Sequence, residues 1–466
     1  MVAATLKATL LPHQKKATKW ATANEAGGCV LALEMGLGKT VVGIAAIIRK
    51  RVKTLVIMPL ALLTQWKAEI AAHSDGLNVV VHHGPRRHKQ SFATADVVLT
   101  TYNTVHSDHK LGCHGVYKVF GRVIMDEVHK IRSMSSKMFK SAVAVFERTP
   151  LKLLLTGTPI CNGMNDLIAL FRLSNRAPYN QESHWEAMKR PQRFDALKEL
   201  RPQFVLAMTV KETIPDRMPS IEIVERSNDY NPKAQSGLYG DLLKGRIPTS
   251  YIIEKIIKLR LCADEANLIR DVPDELGKKT IDEVSEKIAM VREIVDAVPA
   301  GEKVVIFSEW LSMLKRVEQE LSDVSTLLYH GGMTKAEKDV VLERFKRPND
   351  ESRILLMTLK AGSVGLNLTV ANHAIIIEPY FHAAEEQQAM TRIYRIGQKR
   401  DVKVYRLKIN STIECWMRQI QRSKLRVVAA LMQNNVSNED VEKDKLEQHR
   451  LLHLLVHNES DDGDEC

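Results

Sequence analysis

"CVLALEMGLGKTVVGIAAIIRK", residues 29–50, decides the fold of the amino-terminal half of the chain. The apolar run at 29–34 predicts a buried strand, and the segment from residue 40 has the apolar spacing of a helix. The turn between them ends in Gly38 and Lys39, as a phosphate-binding loop does. Backbone N–H groups and the helix dipole would face a phosphate there. The stretch therefore predicts a nucleotide site on a strand–turn–helix unit.

The loop departs from the strict pattern G-x-x-x-x-G-K-[ST] at its first position, where Leu33 replaces glycine. We expect little loss, because this position precedes the residues that cradle the phosphate. Thr40 completes the pattern and is predicted to be a ligand of a magnesium ion.

A second element, "RVIMDEVH" at 122–129, ends a predicted buried strand with two acids. Asp126 suits a magnesium ligand, and Glu127 suits polarisation of an attacking water. The alternative is an exposed turn with two chance acids, which the matched phosphate loop makes less favoured. Residues 31–129 are therefore predicted to hydrolyse ATP.

The rest of the chain repeats the alternation of strand and helix. Of its 466 residues, 44% are hydrophobic and 26% are charged, which is typical of a soluble globular protein with two or three domains. Continuous Val/Ile/Leu runs predict strands buried on both faces of parallel sheets, and they occur in two series. The first series is "CVLALE", "TLVIMP", "DVVLTTY", "RVIMDEV" and "KLLLTGT", and the second is "KVVIFSEW", "STLLYHG", "RILLMT", "HAIIIEP" and "VKVYRL". The two series therefore predict two tandem α/β sheets.

The segment between the two series is richer in helical and charged sequence, and "SYIIEKIIKLRLCADEANLI" has helical apolar spacing. We therefore predict a first lobe at 1–205, a helical insertion at 206–284, a second lobe at 285–410, a helical brace at 411–457 and an acidic tail at 458–466.

The net charge of +11 favours a polyanionic partner such as nucleic acid, with a merely solubilising surface as an equal alternative. No stretch reaches the roughly 18 apolar residues of a membrane span, so no membrane partner is expected. Six cysteines lie far apart without a C-x-x-C pair, which argues against a zinc finger or a disulfide framework. The basic run "RKRVK" at 49–53 resembles a nuclear signal, but a solvated helix end is favoured.

"EQQAMTRIYRIGQKR" places Arg392 and Arg395 three residues apart, on one face if the segment is helical. Two such arginines could stabilise charge on a γ-phosphate, as an arginine finger does. Taken alone, a solvated basic face is the simpler interpretation.

These motifs occur together with "LLPHQ", "PLALLTQW", "LTGTPICN", "FSEW" and "LKAGSVGLNLT". In this order they resemble the Swi/Snf family of DNA-dependent ATPases, within helicase superfamily two, and most closely its baculovirus global transactivator branch. The resemblance runs from "LLPHQ" to about residue 430. It implies two tandem RecA-like lobes with ATP and magnesium as cofactors.

The same resemblance implies roles for individual residues. Gln14 would read the adenine, and the loop would surround ATP with Glu34, Met35, Gly36, Leu37, Gly38, Lys39 and Thr40. From the second lobe, ATP would be met by Gly365, Asn367, Gln388, Arg392 and Arg395, with Arg395 as the finger. DNA-binding or DNA-coupling roles are implied for Trp66, Thr101, Thr156, Thr158, Ser308, Trp310 and Lys360. Trp66 and Trp310 could equally be core aromatics.

The resemblance thus implies an ATP-driven motor that moves on double-stranded DNA and shifts or displaces bound proteins without strand separation. A role in transcription is implied, in the nucleus or, for a viral protein, the host nucleus. Nucleosomes or the transcription machinery would be further partners. The alternatives are a DExH-type helicase that unwinds RNA or DNA, and a non-enzymatic DNA-binding regulator with a decayed ATP site. The presence of Lys39, Thr40, both acids and both arginines argues against the last.

Overall fold

The structure is a computed structural model, and it describes residues 4–89, 91–157, 164–214, 218–229, 233–244, 252–269, 284–347, 350–362, 366–381 and 383–433. Over the described residues, the chain divides into two compact units: the first takes the residues up to 214 together with 426–433, and the second takes those from 218 to 425. Each unit contains a parallel sheet flanked by helices. The predicted α/β fold with two tandem RecA-like lobes is therefore confirmed.

The sheet of the first unit follows the predicted apolar runs. Its described strands lie in the order β5, β6, β3, β7, β8, β2, β9, and all neighbouring pairs are parallel. Their bounds are β2 (Cys29–Leu33), β3 (Thr54–Met58), β5 (Val79–Val81), β6 (Val97–Thr101), β7 (Arg122–Met125), β8 (Leu151–Thr156) and β9 (Val205–Met208). A separate antiparallel pair joins β1 (Thr5–Leu6) to β4 (Ser74–Asp75).

Helices flank this sheet, and the motif segments that follow β2, β3, β7 and β8 start at its carboxyl edge. The helices are α1 (Pro12–Asn24), α2 (Lys39–Arg49), α3 (Leu63–His73), α4 (Tyr102–Lys110), α5 (Lys137–Phe146), α6 (Met164–Arg172), α7 (Glu182–Glu186), α8 (Arg190–Phe204) and α9 (Val210–Thr213). Because β3, β7, β8 and β2 are successive neighbours, the loops that leave their carboxyl ends meet at one edge. The sheet order therefore brings the phosphate loop and the acidic pair together.

The sheet of the second unit has the described order β10, β15, β14, β11, β13, β12, again all parallel. Its strands are β10 (Ile221–Asn228), β11 (Val304–Ser308), β12 (Thr326–Tyr329), β13 (Ile354–Thr358), β14 (His373–Ile376) and β15 (Val402–Ile409). In β11, Val304 and Ile306 pack into one apolar cluster, whereas Val305 and Phe307 pack into another. The strand is thus buried on both faces, which explains its continuous apolar run.

The helices of the second unit cover both faces of its sheet. They are α10 (Lys233–Leu243), α11 (Ile252–Asp264), α12 (Glu286–Ala297), α13 (Leu311–Glu320), α14 (Lys335–Lys346), α15 (Leu359–Gly362), α16 (Ala383–Ile393) and α17 (Ile413–Gln433), of which α17 begins in this unit. None of the described helices combines the length and the apolar character that a membrane span requires.

The segment 206–284, predicted as a helical insertion, differs from that expectation at its amino-terminal end. Its first residues complete β9 of the first sheet, and 221–228 form β10 at the edge of the second. Strand β10 is mostly exposed, so it lacks the apolar run that identifies a buried strand. Helices α10 and α11 do lie in the segment, as predicted. The other domain boundaries remain predictions, and residues 434–466, with the acidic tail, lie outside the described residues.

The start of α17 is anchored on α16 by a buried carboxylate. Glu386 of α16 accepts hydrogen bonds from Arg418 Nη1 at 2.8 Å and from Gln421 Nε2 at 2.7 Å. Buried ion pairs of this kind strongly fix geometry, because removal of one partner leaves an uncompensated charge. Helix α17 therefore holds in place the helix that carries Gln388 and Arg392.

Candidate nucleotide site

The phosphate loop, residues 34–38, connects β2 to α2 as the sequence predicts. Gly38 precedes the helix with φ 81°, in the left-handed region that favours glycine. A Cβ at this position would lie 2.5 Å from Gln14 Nε2, so a larger residue would collide with that side chain. Gly36 also has a positive φ of 96°. The loop thus requires glycine at both positions where the sequence supplies it.

Two side chains of α1 form hydrogen bonds with the phosphate loop. His13 Nε2 and Gln14 Nε2 donate to the carbonyl oxygen of Leu37, at 3.1 and 3.2 Å. Gln14 also accepts from Leu11 N through Oε1 at 3.0 Å. Gln14 is therefore in contact with the phosphate loop, while adenine recognition by it remains a prediction. Sequence reasoning missed His13, although it directly precedes Gln14 in "LLPHQ".

Lys39 begins α2, and its ammonium group lies over the carboxyl end of β2. Lys39 Nζ donates to Leu33 O at 2.9 Å. A Cβ added at Gly157 would lie 3.3 Å from Lys39 Nζ and 3.2 Å from Met35 Cγ. The residue after β8 therefore approaches the phosphate loop closely. Glu34 behaves differently, because its carboxylate accepts from Val210 N at 2.6 Å and so contacts α9 instead of facing a phosphate.

The acidic pair follows β7 directly. Asp126 is buried, and its Oδ2 accepts from Trp66 Nε1 at 2.7 Å while its Oδ1 accepts from Glu127 N at 2.8 Å. Burial, and then the charge of Glu127, raise the pKa of Asp126 to about 6. Glu127 has φ 48°, a conformation that costs a non-glycine residue about 1–3 kcal/mol and is found mainly at functional sites. The backbone thus turns sharply at the residue predicted to polarise water.

The donor set fits a magnesium ion. Asp126 and Thr40 offer a carboxylate and a hydroxyl oxygen, which are hard ligands of the kind that magnesium prefers beside phosphate oxygens. Each Asp126 oxygen accepts one hydrogen bond from the protein, so lone pairs remain for a cation. The predicted roles of Asp126 and Thr40 as metal ligands are therefore chemically consistent with the structure and remain proposals.

His129 connects the acids to the next strand. Its Nδ1 lies 3.2 Å from Glu127 Oε2 and 3.1 Å from Thr156 Oγ1. Burial lowers the pKa of His129 to about 4, so the imidazole is neutral at pH 7. Thr156 was predicted to couple the nucleotide site to DNA, and it does contact the acid site through His129. Sequence reasoning missed His129, although it is the last residue of "DEVH".

The segment with the two arginines is only partly helical. Helix α16 ends at Ile393, so Arg392 lies in its last turn and Arg395 lies beyond it. The condition under which both would share one helical face, a helix through Arg395, is therefore not met. Arg392 and Gln388 are buried, whereas Arg395 is half-buried and donates from Nη1 to Leu366 O at 3.2 Å.

The loop beside Arg395 carries Asn367, which is exposed and accepts from Thr369 N at 3.2 Å. The backbone of the loop also contacts α16, because Leu368 N donates to Arg392 O at 3.0 Å. Gly365 lies outside the described residues. Within the second unit, the fold therefore brings Asn367 and both arginines together.

Several residues predicted to contact DNA are buried. Trp66 is 1% exposed, Thr101 caps the start of α4, and Ser308 donates to Glu378 Oε1 at 3.0 Å. Thr156 is also fully buried. The buried side chains of Trp66, Thr101 and Ser308 offer no surface for direct contact in this structure, and their DNA-binding roles stay predictions. Thr156 was expected to couple the nucleotide site to DNA, which its burial does not test. For Trp66 the alternative interpretation as a core aromatic holds.

Trp310 and Lys360 differ from these residues, because neither side chain is fully buried. Trp310 is half-buried, with the Arg260 guanidinium 5.3 Å from its ring centroid. The side chain of Lys360 is 79% exposed and lies 3.7 Å from Glu309. Lys360 thus remains a candidate for DNA contact, and Thr158 lies outside the described residues.

The proposed role of Asp126 as a magnesium ligand predicts a pH dependence. Since the ionised form of Asp126 would be the ligand, magnesium binding should be full above about pH 6 and weaken by about tenfold per pH unit below it. The measurement is the magnesium concentration for half-maximal binding of a fluorescent ADP, from pH 5 to 8, corrected for magnesium–ADP association in buffer. Asp126→Asn is the control and should need more magnesium at every pH. An equal magnesium requirement at pH 5 and 8 in the unmodified chain would contradict the assignment.

The chain is similar to known proteins over most of its length. The family model of the SNF2-related domain matches residues 13–218, and that of the helicase conserved C-terminal domain matches 286–397. A probable global transactivator of Orgyia pseudotsugata multicapsid polyhedrosis virus is 30% identical, over 93% of this chain and 94% of its own length. The chromatin remodeling factor mit1 of Schizosaccharomyces pombe is 26% identical, over 92% of this chain and 34% of its own.

A solved structure, the SWI2/SNF2 ATPase core of Sulfolobus solfataricus in complex with dsDNA, is 25% identical with a TM-score of 0.43. The alignment covers 97% of this chain and 98% of that one. The chain spans about half the length, or less, of several other curated relatives that it matches. The viral relative is similar to it over nearly the full length of both.

Proposed function

The chain belongs to the SNF2 family of helicase-like ATPases, and on that premise we propose that it hydrolyses ATP when bound to double-stranded DNA and moves along the duplex. Its movement shifts or displaces bound proteins without separating the strands. The observation that supports the proposal lies in the first unit, where the phosphate loop follows β2 and the acidic pair follows β7, with only β8 between these strands, and where the charge of Lys39 acts on Asp126.

The residues divide the chemistry between them. Lys39 supplies positive charge to the phosphates of ATP, and the N–H groups at the start of α2 add hydrogen bonds. Thr40 and Asp126 would hold a magnesium ion, which would supply neutralising charge to the phosphate oxygens. Glu127 orients and polarises the attacking water, and His129 fixes the Glu127 carboxylate. Arg395 supplies the charge that stabilises the transferring phosphoryl group, with Arg392 in a supporting role.

The proposed partner is duplex DNA, bound mainly through its phosphates. The net charge of +11 supports a polyanion, and Lys360 is an exposed cation in a family motif. The relatives named a global transactivator and a chromatin remodeling factor support a role in transcription or on nucleosomes. We accordingly place the protein in a nucleus, that of the host if the chain is viral.

The test is the rate of ATP hydrolysis with duplex DNA, single-stranded DNA and RNA at several salt concentrations. Duplex DNA should stimulate most, and its apparent affinity should fall with a log–log salt slope of several units, because phosphate contacts release counterions. Lys39→Ala is the control and should remove the stimulation while leaving nucleotide-free DNA binding near normal. Greater stimulation by RNA or single-stranded DNA would favour an unwinding helicase. No hydrolysis with any of them would favour a regulator with a decayed site.

Translocation and strand separation need separate measurements. A motor that moves on duplex DNA should displace a third strand from a DNA triplex in an ATP-dependent manner, yet leave a forked duplex paired. ATP-dependent opening of the fork would contradict the proposal that strands stay together.

A further inference from the structure

Trp66 occupies a position that the family resemblance links to DNA, but its contacts link it to the acid site. The side chain is 1% exposed, and its indole N–H donates to Asp126 Oδ2 at 2.7 Å. The two residues are 60 positions apart in the chain and lie on α3 and directly after β7. Helix α3 therefore supplies a donor to the carboxylate proposed as the magnesium ligand.

The indole ring is fixed in direction by its neighbours. Trp66 packs against Gly43 of the phosphate-loop helix α2, where an added Cβ would lie only 2.9 Å from Trp66 Cη2. The same Cβ would lie 3.5 Å from Leu155 Cδ1 of β8. Since the ring is confined beside α2 and β8, the direction of its N–H is set by the fold rather than by a free side-chain rotation.

The carboxylate of Asp126 is in turn held by two N–H donors. Trp66 Nε1 contacts one oxygen and Glu127 N contacts the other, at 2.7 and 2.8 Å. Both Trp66 and Asp126 are buried, so water does not readily replace the indole donor. Loss of that donor would leave one oxygen of a buried carboxylate free to rotate away from its present direction.

We propose that Trp66 is a positioning residue for the magnesium site, which orients the Asp126 carboxylate for coordination. The inference rests on the proposed ATPase function, because that function requires the metal. Donors that contact a metal ligand typically change metal affinity by about 10- to 100-fold. The role assigned to Trp66 is therefore measurable as a change in magnesium requirement that is separate from folding and from nucleotide affinity.

The decisive variant replaces Trp66 with β-(3-benzothienyl)alanine, which keeps the shape of the indole but has sulfur in place of N–H. The readout is binding of fluorescent ADP to the full chain, titrated with magnesium and repeated in EDTA. The magnesium concentration for half-maximal binding should rise about tenfold or more, while binding in EDTA stays unchanged. The melting temperature should fall, because a buried carboxylate loses a hydrogen bond, so binding in EDTA is the control for folding at the assay temperature. An unchanged magnesium requirement would overturn the proposal, and so would equal losses with and without magnesium, which indicate packing alone.

A second variant approaches the same contact from α2. Gly43→Ala should push the ring away from Asp126 and raise the magnesium requirement in the same direction. Gly240→Ala is the matched control, since Gly240 is also helical but has no atom within 4 Å of an added Cβ, and it should leave the requirement unchanged. If the unmodified chain bound no nucleotide with or without magnesium, the proposed function itself would fail. Binding by the unmodified chain with no effect of the benzothienyl variant would reject only the role of Trp66.

Discussion

Replacing Arg395 with alanine is expected to lower DNA-stimulated ATP turnover by about 10³-fold or more, the scale for loss of an arginine finger. Arg395 is half-buried, and its contact with Leu366 O holds the guanidinium beside the loop that carries Asn367. Its charge would act on the γ-phosphate in the transition state, so nucleotide binding should change much less than turnover. Single-turnover hydrolysis and binding of fluorescent ATP, measured on the same preparation, separate the two effects.

The matched control is Arg400→Ala, which removes an exposed arginine from the same segment. Its turnover should stay near that of the unmodified chain. Near-normal turnover in Arg395→Ala as well would indicate that "RIYRIGQ" is a solvated basic face and contradict the role proposed for Arg395 in phosphoryl transfer. A similar loss in Arg400→Ala would instead indicate a general effect of charge on DNA binding.

The second large effect is expected for Glu127→Gln, which should bind ATP but hydrolyse it about 10²- to 10⁴-fold more slowly, the contribution typical of a general base. The substitution keeps the shape of a side chain whose Oε2 lies 3.2 Å from His129 Nδ1. It removes only the charge that polarises water. Turnover and nucleotide binding are compared with those of Glu147→Gln, an exposed glutamate of the same unit that should behave normally.

DNA affinity distinguishes Glu127→Gln from Arg395→Ala. Because Glu127→Gln retains bound ATP, its affinity for DNA should be higher with ATP than without it. Arg395→Ala should show little such change, since the group proposed to sense the γ-phosphate from the second lobe is missing. Rapid hydrolysis by Glu127→Gln, or an identical response of both variants to ATP, would show that the two residues do not have the separate roles assigned to them.

The sequence alone determined the fold class, because strands buried on both faces of a parallel sheet must be apolar throughout. Runs such as "CVLALE" and "KVVIFSEW" are of this kind, and each became a central strand. The phosphate loop could also be predicted from the sequence, because its geometry depends on consecutive residues. Gly38 adopts a conformation suited to glycine, and Lys39 begins the helix. The exposed edge strand β10 could not be predicted in this way, because it contains no continuous apolar run.

Only the tertiary structure decided which side chains meet. Trp66 and Asp126, 60 residues apart, and His129 and Thr156, 27 residues apart, are brought together by the order of strands in the sheet. A motif shows that a residue is present, but its role depends on whether the fold buries it or exposes it. Trp66 illustrates this, because the same aromatic residue could contact DNA at the surface and here contacts the Asp126 carboxylate, the proposed magnesium ligand, in the core. Local pattern thus determined the elements and the loop, and long-range packing determined the partners of each functional group.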